Sequence, residues 1–481
     1  MNYLKTNLFK HQEKAFNKIK KLKACALFMD MGTGKTRTML EYIQFKLNQG
    51  KINRVFWICP CSTKKNLKED IEKHSIFSSN YIENISTEFI VIVGTETISQ
   101  SDRLYIKLKN IIKQYPNSIV IVDESHMIKN HKAVRTDRIL SLGKQVQYRA
   151  ILTGTPITQG IWDLYTQFYF LHPKILGYNS FYAFAANHLV YSEKYPGQII
   201  ETHNTDYITK KINPYIYQVT KKECLDLPPK TYANRYFYFD TEQYKMYQSI
   251  KNYYISMIDY EDVNSFGECI LNMINSLYRL ASGYVSIYMK RPIYDEYGEP
   301  IWTLEYKGYE RANETIRQIE LIPKGEKCII WHRYNSDLEL LEDVLKESDI
   351  NYVTVNGIIS QKQRELNIST FKLSSKVNIL VANIGVGNVG LNLQEANYMI
   401  YYNSTFEYAK RKQSEDRIYR IGQNKNVHII DILSESGIDY MMEENIYKKT
   451  NLIREIRTKI NEIKDDKEKI LEFKEKILDE I

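Results

Sequence analysis

The segment Met29-Asp-Met-Gly-Thr-Gly-Lys-Thr36 constrains the fold of this chain more than any other part of it. Gly32 and Gly34 permit a tight turn that brings backbone N–H groups towards phosphate oxygens. Lys35 would then reach the β- and γ-phosphates of a nucleotide, and the Thr36 hydroxyl would ligate Mg²⁺. An apolar run precedes the segment and a helical pattern follows it. Strand, loop and helix therefore occur in the order that a phosphate-binding loop requires, although the strict pattern has glycine where this chain has Met29.

The hydrophobic pattern predicts an α/β fold. Apolar runs alternate with amphipathic helical patterns up to residue 160, which predicts a parallel sheet covered by helices on both faces. The predicted strands are 24–29, 54–59, 88–93, 118–122 and 148–152, then 327–331, 352–355, 377–381, 398–402 and 427–431. Between 161 and 325 the pattern is aromatic-rich and mostly helical, with a β hairpin expected near 294–300. An amphipathic helix is expected at 451–481, packed back on the body or binding a partner.

Composition and charge narrow the function classes. The 481 residues suffice for two or three domains, and no apolar run approaches the ~20 residues of a membrane span. The N-terminus lacks a signal-peptide core, so we expect a cytoplasmic protein, in a bacterial cytosol or a virus-infected host cell. Six cysteines without a C-x₂-C pair favour reduced thiols over a zinc site or disulfides. The net charge of +8 favours a polyanionic partner without proving one.

A pair of acidic residues follows the apolar run 118–122. Because the carboxyl ends of parallel strands share one edge of a sheet, we expect Asp123 and Glu124 beside the phosphate loop. Asp123 would hold Mg²⁺ through water, and Glu124 would orient or deprotonate the attacking water. The alternative interpretation is a solvated acidic turn.

Two further segments are candidates for nucleotide chemistry, whereas a third, glycine-rich segment only resembles a nucleotide-binding motif. Thr153-Gly-Thr-Pro156 ends another predicted strand. Arg417 and Arg420 are expected on one face of a helix, where guanidinium groups can stabilise charge on a transferring phosphoryl group; a solvated helix is the alternative. The glycine-rich run 385–390 imitates a dinucleotide fingerprint, but the next strand ends at Asn403 without the acidic residue that nicotinamide binding needs.

In their order, these segments resemble the SNF2 family of superfamily 2 helicase-like ATPases, in a minimal form similar to viral or bacterial members. The resemblance covers about residues 5–435 and rests on 31–36, 123–126, 153–156, 390–393 and 413–423 as motifs I, II, III, V and VI. It implies two RecA-like parallel-sheet lobes with helical insertions between them and a C-terminal helix. Lobe 1 would span 1–230 with a protrusion at about 161–230, lobe 2 would span 231–450 with an insertion at about 231–325, and the C-terminal helix 451–481.

The resemblance implies an ATP-dependent double-stranded DNA translocase or remodelling ATPase that hydrolyses ATP between two lobes, with Mg²⁺. The implied catalytic residues are Lys35, Asp123, Glu124, Arg417 and Arg420. The implied nucleotide-binding residues are Gln12, which would read the adenine base, Gly32, Thr33, Gly34, Lys35, Thr36, Gly390 and Gln423, with Thr36 and Asp123 on the metal. The implied coupling residues are His126, Thr153 and Thr155, and the implied nucleic-acid contacts are Thr63, Lys64, Lys65, Thr95 and Asn388.

Two other functions stay open at this point. One is a strand-separating or RNA-stimulated helicase, or a transcription-release ATPase, of the same superfamily, acting on single-stranded DNA or RNA. The other is an ATPase switch that acts on a protein partner through the helical insertions or the C-terminal helix. A P-loop kinase is disfavoured, because Arg417 and Arg420 lie in a second predicted sheet domain.

Overall fold

A computed structural model describes residues 2–84, 88–157, 160–191, 199–224, 226–257, 263–294, 297–387, 392–448, 451–463 and 467–480. The chain divides into two compact units, unit 1 (Met1–Asp226) and unit 2 (Leu227–Ile481). Within these ranges, no helix combines the length and the apolar character that crossing a membrane requires.

Unit 1 alternates strands and helices for most of its length. Its strands are β1 (Ala24–Met29), β2 (Arg54–Cys59), β3 (Ser79–Tyr81), β4 (Ile90–Gly94), β5 (Ser118–Asp123), β6 (Tyr148–Thr153), β7 (Leu189–Tyr191), β8 (Ile199–Thr202) and β9 (Ile216–Val219). Its helices are α1 (Lys10–Ile19), α2 (Lys35–Asn48), α3 (Lys64–His74), α4 (Thr95–Gln100), α5 (Asp102–Gln114), α6 (Val134–Gly143), α7 (Asp163–Leu171), α8 (Phe181–His188), α9 (Thr205–Ile212) and α10 (Lys221–Cys224).

The described residues of unit 1 form a seven-stranded parallel sheet in the order β3-β4-β2-β5-β6-β1-β9. Its central strands are runs of Val, Ile and other apolar residues, which suits strands buried on both faces. Alternate strand residues join two apolar clusters, one with α1–α3 and the other with α5–α7. Helices therefore cover both faces of the sheet, as the pattern predicts.

The expectation that 161–230 is mainly helical is wrong in part. An antiparallel pair, β7 and β8, lies within it, and β9 completes the edge of the main sheet beside β1. β9 has only four residues and makes a strand ladder on one side only, so its sequence carries little of the continuous apolar pattern of the central strands.

Unit 2 again alternates strands and helices, after two long helices and a hairpin. Its strands are β10 (Lys230–Phe237), β11 (Tyr284–Tyr294), β12 (Pro300–Lys307), β13 (Cys328–His332), β14 (Tyr352–Val355), β15 (Ile379–Asn383), β16 (Tyr398–Tyr401) and β17 (Val427–Ser434). Its helices are α11 (Thr241–Ser256), α12 (Val263–Ala281), α13 (Glu310–Glu320), α14 (Asn335–Glu347), α15 (Gln361–Leu373), α16 (Ile384–Gly387), α17 (Tyr408–Glu415), α18 (Gly437–Lys448), α19 (Leu452–Ile463) and α20 (Lys467–Glu480).

The described residues of unit 2 form a six-stranded parallel sheet in the order β10-β17-β16-β13-β15-β14. The predicted hairpin is confirmed, because β11 pairs antiparallel with β12. β10 is an edge strand that the sequence pattern assigns to the helical insertion, and that assignment is wrong. With these corrections, the predicted α/β fold of two parallel-sheet lobes with helical insertions is confirmed.

The predicted C-terminal amphipathic helix appears as two helices, α19 and α20, with 464–466 outside the described residues. Both helices contribute to one apolar cluster that also contains residues of α11, α12 and α18. The buried members from the two helices are Leu452, Ile456, Ile460, Ile470 and Ile477. Burying each such side chain stabilises the fold by about 1.5–3 kcal/mol. Because these side chains share a cluster with α11, α12 and α18, the prediction that this segment packs back on the body is confirmed.

Candidate active site

The phosphate loop connects β1 to α2. Gly32 and Gly34 have φ of 78° and 89°, a left-handed backbone that glycine adopts without a steric penalty. Gly34 immediately precedes α2. Because glycine has no side chain, no side-chain hydrogen bond caps the start of that helix. The N–H groups of the first helical turn and the helix dipole thus form an anion-binding site. Lys35 Nζ donates to the Met29 carbonyl oxygen at 3.0 Å, across the mouth of the loop.

Two residues of α1 hold the outer side of this loop. His11 Nε2 and Gln12 Nε2 donate to the Thr33 carbonyl oxygen at 2.8 and 3.1 Å. A Cβ atom added to Gly34 would lie 2.0 Å from Gln12 Nε2, so the close approach of Gln12 requires glycine there. The other side-chain atom, Gln12 Oε1, accepts from the Phe9 N–H at 3.0 Å. The structure thus places Gln12 against the phosphate loop, and its reading of an adenine base stays a prediction.

The acidic pair ends β5. Asp123 Oδ1 accepts from the Glu124 N–H at 2.9 Å, and Glu124 has a left-handed backbone with φ 49°. Such a conformation costs a non-glycine residue about 1 kcal/mol or more. Burial and then the charge of Glu124 raise the pKa of the Asp123 carboxyl well above its usual range, and Lys35 lowers it. A desolvated carboxylate within electrostatic reach of Lys35 fits a hard divalent cation, which would relieve the repulsion between Asp123 and Glu124.

The predicted coupling residues meet at Glu124. His126 Nδ1 lies 3.4 Å from Glu124 Oε2 and 3.3 Å from Thr153 Oγ1. Thr153 Oγ1 lies 3.5 Å from the same Glu124 oxygen and accepts from the Thr155 N–H at 3.1 Å. The contacts of Glu124 with His126 and Thr153 are long for hydrogen bonds. The ends of β5 and β6 are thereby connected through side chains.

The strand order explains why these loops meet. β6 lies between β5 and β1, and neighbouring strands are about 4.8 Å apart, so the three loops at their carboxyl ends are adjacent. A Cβ atom on Gly154 would lie 3.3 Å from Met31 N and 3.4 Å from the Met29 carbonyl oxygen. The loop after β6 therefore packs directly on the phosphate loop, and a glycine gives it room.

Sequence reasoning missed Gln167, a buried residue of α7. Its Oε1 accepts from Ser125 Oγ at 2.7 Å, and its Nε2 donates to the Pro156 and Asp163 carbonyl oxygens, each at 2.8 Å. One amide thus connects the residue after Glu124 to the loop after β6. The available signal was a glutamine in a largely apolar, aromatic-rich helix, because a buried amide needs partners for its polar atoms.

The predicted nucleic-acid contacts of unit 1 lie at the starts of α3 and α4. Lys65 is exposed, whereas Lys64 Nζ is bonded to Glu83 at 2.8 Å. Thr63 Oγ1 donates to the Pro60 carbonyl oxygen at 3.0 Å. The Thr95 side chain is 1% exposed. Contact with nucleic acid stays a prediction for these four residues, and Asn388 lies outside the described residues.

In unit 2 the two candidate arginines do not share a helical face. α17 ends at Glu415, and Arg417 and Arg420 lie in the turns that follow, so the expected helical placement is wrong. Arg417 is buried and its carbonyl oxygen accepts from the Leu393 N–H at 3.1 Å. Arg420 donates to Asn392 Oδ1. We call residues 416–423 the arginine turn. These two bonds join it to Asn392 and Leu393, which follow the glycine-rich run 385–390.

Gln423 closes the arginine turn from inside. Its Nε2 donates to the Ala396 and Gln394 carbonyl oxygens at 2.8 and 3.2 Å, and its Oε1 accepts from the Lys425 N–H at 3.0 Å. The side chain is buried and shapes the turn that carries the arginines. Its contact with a nucleotide stays a prediction, and Gly390 lies outside the described residues.

Two family models match the chain. The SNF2-related domain matches residues 11–282, and the helicase conserved C-terminal domain matches residues 311–422. Together the matches include the phosphate loop, the acidic pair and nearly all of the arginine turn.

Curated relatives are similar along most of this chain. The ISWI chromatin-remodeling complex ATPase CHR11 of Arabidopsis thaliana is 24% identical over 444 residues, 88% of this chain and 40% of the relative. The ATP-dependent helicase fft1 of Schizosaccharomyces pombe is 24% identical over 485 residues, 88% of this chain and 49% of the relative. The uncharacterized ATP-dependent helicase MG018 of Mycoplasma genitalium is 22% identical over 470 residues, 93% of this chain and 42% of the relative. The chain spans less than half the length of each.

A solved structure is similar as well. The Sulfolobus solfataricus SWI2/SNF2 ATPase core in complex with dsDNA is 22% identical, and the match covers 96% of each chain with a TM-score of 0.43.

Proposed function

This chain belongs to the SNF2-related family of helicase-like ATPases, and on that premise we propose that it hydrolyses ATP to move along double-stranded DNA. The observation that carries the proposal is the convergence of three loops at one edge of the first sheet. They bring together a phosphate loop with Lys35, the acidic pair Asp123 and Glu124, and the coupling residue Thr153. This set suits phosphoryl transfer to water better than any chemistry that needs a covalent nucleophile.

The phosphate loop and its neighbours would hold the substrate. The backbone from Gly32 to Thr36 would donate to phosphate oxygens, and Lys35 would exchange its bond to the Met29 carbonyl oxygen for the β- and γ-phosphates. Thr36 and Asp123 would hold Mg²⁺, which supplies positive charge to the phosphates when bound. The strand order supports this assignment, since it brings the end of β5, where Asp123 lies, close to the loop that follows β1.

Glu124 would position the attacking water and accept its proton. Its left-handed backbone turns the side chain out of the strand direction, and its contacts to His126 and Thr153 are long for hydrogen bonds. Arg417 and Arg420 would stabilise the charge that develops on the γ-phosphoryl group, with Arg420 oriented by Asn392.

Duplex DNA is the proposed track. The net charge of +8 supports a polyanionic partner, and several relatives are named as chromatin-remodelling ATPases. Contacts to the phosphate backbone would give little sequence specificity and a steep dependence of affinity on salt.

The test is ATP turnover with duplex DNA, single-stranded DNA, RNA and no nucleic acid, each at several salt concentrations. We expect the highest turnover with duplex DNA and a loss of stimulation as salt rises. Higher turnover with RNA or single strands would favour a helicase of the same superfamily. Turnover that ignores all nucleic acids but responds to a protein would favour the ATPase switch.

Movement is tested by displacement of a triplex-forming strand, with unwinding of a forked duplex as the comparison. We expect triplex displacement that depends on ATP and little unwinding; unwinding without triplex displacement would contradict translocation on duplex DNA. Glu124→Gln is the negative control, because it keeps the side-chain shape but removes the proton acceptor. It should bind ATP and lose about 10²–10⁴ in turnover.

A further inference from the structure

The first strand of unit 2 is joined to the arginine turn by charged side chains. Unit 2 begins at Leu227, three residues before β10, and β10 pairs with β17 along its whole length, from Lys230 opposite Val427 to Phe237 opposite Ser434. β10 is therefore the point where the chain enters the second sheet directly after leaving unit 1. Side chains at the first and third residues of a strand share a face.

Those two side chains are Lys230 and Tyr232, and both bind one carboxylate oxygen. Lys230 Nζ lies 2.8 Å from Glu415 Oε2, and Tyr232 Oη donates to the same oxygen at 2.9 Å. Glu415 is the last residue of α17 and the second residue before Arg417. Lys230 Nζ also lies 5.0 Å from the centre of the Tyr419 ring, within the arginine turn. β10 thus contacts Glu415, the residue immediately before the arginine turn, and Tyr419 within it.

The second oxygen of Glu415 is bound as well. Arg411 Nε donates to Glu415 Oε1 at 3.1 Å, and the Arg411 guanidinium makes a bidentate pair with Asp431 of β17 at 2.5 and 2.8 Å. Arg411 is 1% exposed and Glu415 is buried. The Glu415 carboxylate is therefore fixed from two adjacent strands, directly by β10 and through Arg411 by β17.

The electrostatics of the group agree with its geometry. Burial opposes the charge on Lys230, but the Glu415 carboxylate outweighs it and raises the pKa of Lys230. Burial likewise opposes the charge on Glu415, but Arg411 and Lys230 together lower its pKa. Both partners are consequently ionised at neutral pH, and the loss of either would leave a buried, incompletely compensated charge beside the arginine turn.

We propose that Lys230 and Tyr232 are positioning residues for ATP hydrolysis, which hold Arg417 and Arg420 in register by fixing Glu415 from the strand that follows the junction of the two units. The inference rests on the proposed function, because it assigns a purpose to holding these arginines. A transition-state contact is sensitive to displacements of about 1 Å, whereas substrate binding by the phosphate loop of unit 1 does not depend on this group. The group should therefore act on kcat and leave the KM for ATP nearly unchanged.

The experiment compares Lys230→Met, Lys230→Arg and Tyr232→Phe in the full chain, with kcat and KM for ATP measured at saturating duplex DNA. Lys230→Met keeps the length and apolar stem of the side chain but removes its charge. We expect kcat to fall about tenfold with KM changed less than about twofold, Lys230→Arg to recover most of the loss, and Tyr232→Phe to lower kcat about two- to threefold. Glu415→Gln should lower kcat similarly, and its combination with Lys230→Met should be far from additive.

The matched control is Lys307→Met, which removes the exposed ion pair between Lys307 and Asp343 in the same unit. It should leave both constants unchanged. Equal kcat for Lys230→Met and wild type, with both folded by thermal melting, would overturn the proposal; so would a rise in KM without loss of kcat. If Lys230→Met does not fold, Tyr232→Phe decides, since it removes a single hydroxyl. A wild type without nucleic-acid stimulation would instead contradict the proposed function, and basal turnover would then serve for the same comparison.

Discussion

Glu124 is held in a strained backbone conformation by its two neighbours in sequence. The Asp123 carboxylate accepts its N–H, and Ser125 is bound by Gln167 from α7. Strain of this kind persists only where surrounding contacts fix it. Gln167 therefore supports the geometry of the acid that we propose to activate water, although it does not touch the phosphate loop itself.

Gln167→Leu should lower kcat about tenfold with little change in the KM for ATP. The substitution preserves the bulk of the side chain but removes the bonds to Ser125 and to the Pro156 and Asp163 carbonyl oxygens, so the backbone at Glu124 can relax. Steady-state kinetics and urea unfolding test this together, with an expected loss of about 1–3 kcal/mol in stability. Gln147→Leu, at an exposed glutamine of the same unit, is the control. Equal losses in the two variants would refute a positioning role.

His332 gives unit 2 a defined response to acid. The ring is buried at the end of β13, its Nδ1 donates to the Tyr334 carbonyl oxygen at 2.9 Å, and burial lowers the pKa of His332 to about 4. The unfolded chain, with the ordinary value of 6.5, binds a proton at higher pH than the folded chain does. The stability contributed by the neutral ring is therefore complete above about pH 6.5 and is lost as pH falls towards 4, by about 3 kcal/mol.

Urea unfolding between about pH 4 and 7 measures this loss, with His332→Gln as the comparison. Asp337 changes in the opposite sense, because burial raises its pKa to about 6 and the folded chain then binds the extra proton. The part of the pH dependence of the unfolding free energy that is absent in His332→Gln belongs to His332. This comparison separates its contribution from those of Asp337 and the other titrating groups. An unchanged slope in that variant would show that His332 does not titrate as described.

Residue-level contacts were the least predictable part of the site. The glycines, Lys35 and the acidic pair follow from local sequence, because each motif is a few consecutive residues. The bonds from His11 to Thr33 and from Gln167 to Ser125 join residues 22 and 42 positions apart, and such pairs leave no pattern in a single sequence. Gln423 had a visible motif, but its side chain turned inwards to hold the arginine turn.

At the scale of secondary structure, apolar continuity decided what could be predicted. β1 and β2 were predicted to the residue, because buried parallel strands are mostly apolar runs, and so was the edge strand β14, whose run Tyr-Val-Thr-Val is aromatic or β-branched throughout. The edge strands β3, β9 and β10 were not predicted, because each mixes polar and apolar residues instead of forming one apolar or β-branched run. In β10 only one residue, Phe237, is buried, so its sequence reads like that of its aromatic-rich surroundings.

The C-terminal helices should stabilise unit 2 through a few buried positions. Ile470→Ala should cost about 2–4 kcal/mol, because Ile470 is 2% exposed within the cluster formed with α11 and α12. Leu471→Ala, at the next residue, should cost less than about 0.5 kcal/mol, because Leu471 is 44% exposed. Urea unfolding of both variants tests this pair. Similar costs would mean that α20 does not pack through Ile470.

On the scale of the whole molecule, we propose that unit 1 binds the phosphates of ATP and that unit 2 supplies Arg417 for hydrolysis. This proposal leads to a prediction about Arg417. Arg417→Lys should lower kcat by about 10³-fold or more while ATP binding stays within about threefold, because lysine keeps the charge but not the planar guanidinium. Binding of a fluorescent ATP analogue and turnover, measured on one preparation, separate the two effects. Arg317→Lys, at an exposed arginine of unit 2, should change neither. Weaker binding that accounts for the whole loss would argue against a transition-state role.

The layout of two sheet units followed from sequence because the alternation of strands and helices stops near residue 160 and resumes near 327. The exact division after Asp226 did not follow, because the strands on either side of it, β9 and β10, are both among those that the pattern missed. Because the strands on both sides of the junction lack a continuous apolar pattern, the sequence does not show where one unit ends and the next begins.

The pairing of β10 with β17 also sets an order of events during synthesis. Lys230 emerges from the ribosome 197 residues before its strand partner Val427, which at about 5–20 residues per second is a wait of roughly 10–40 s. Throughout that time β10 has no neighbour in its sheet, and for most of it Glu415 has not yet been made. The contact that we propose to align the arginines can therefore form only near the end of translation. A nascent chain thus contains its phosphate loop long before Arg417 and Arg420 can be held in position for hydrolysis.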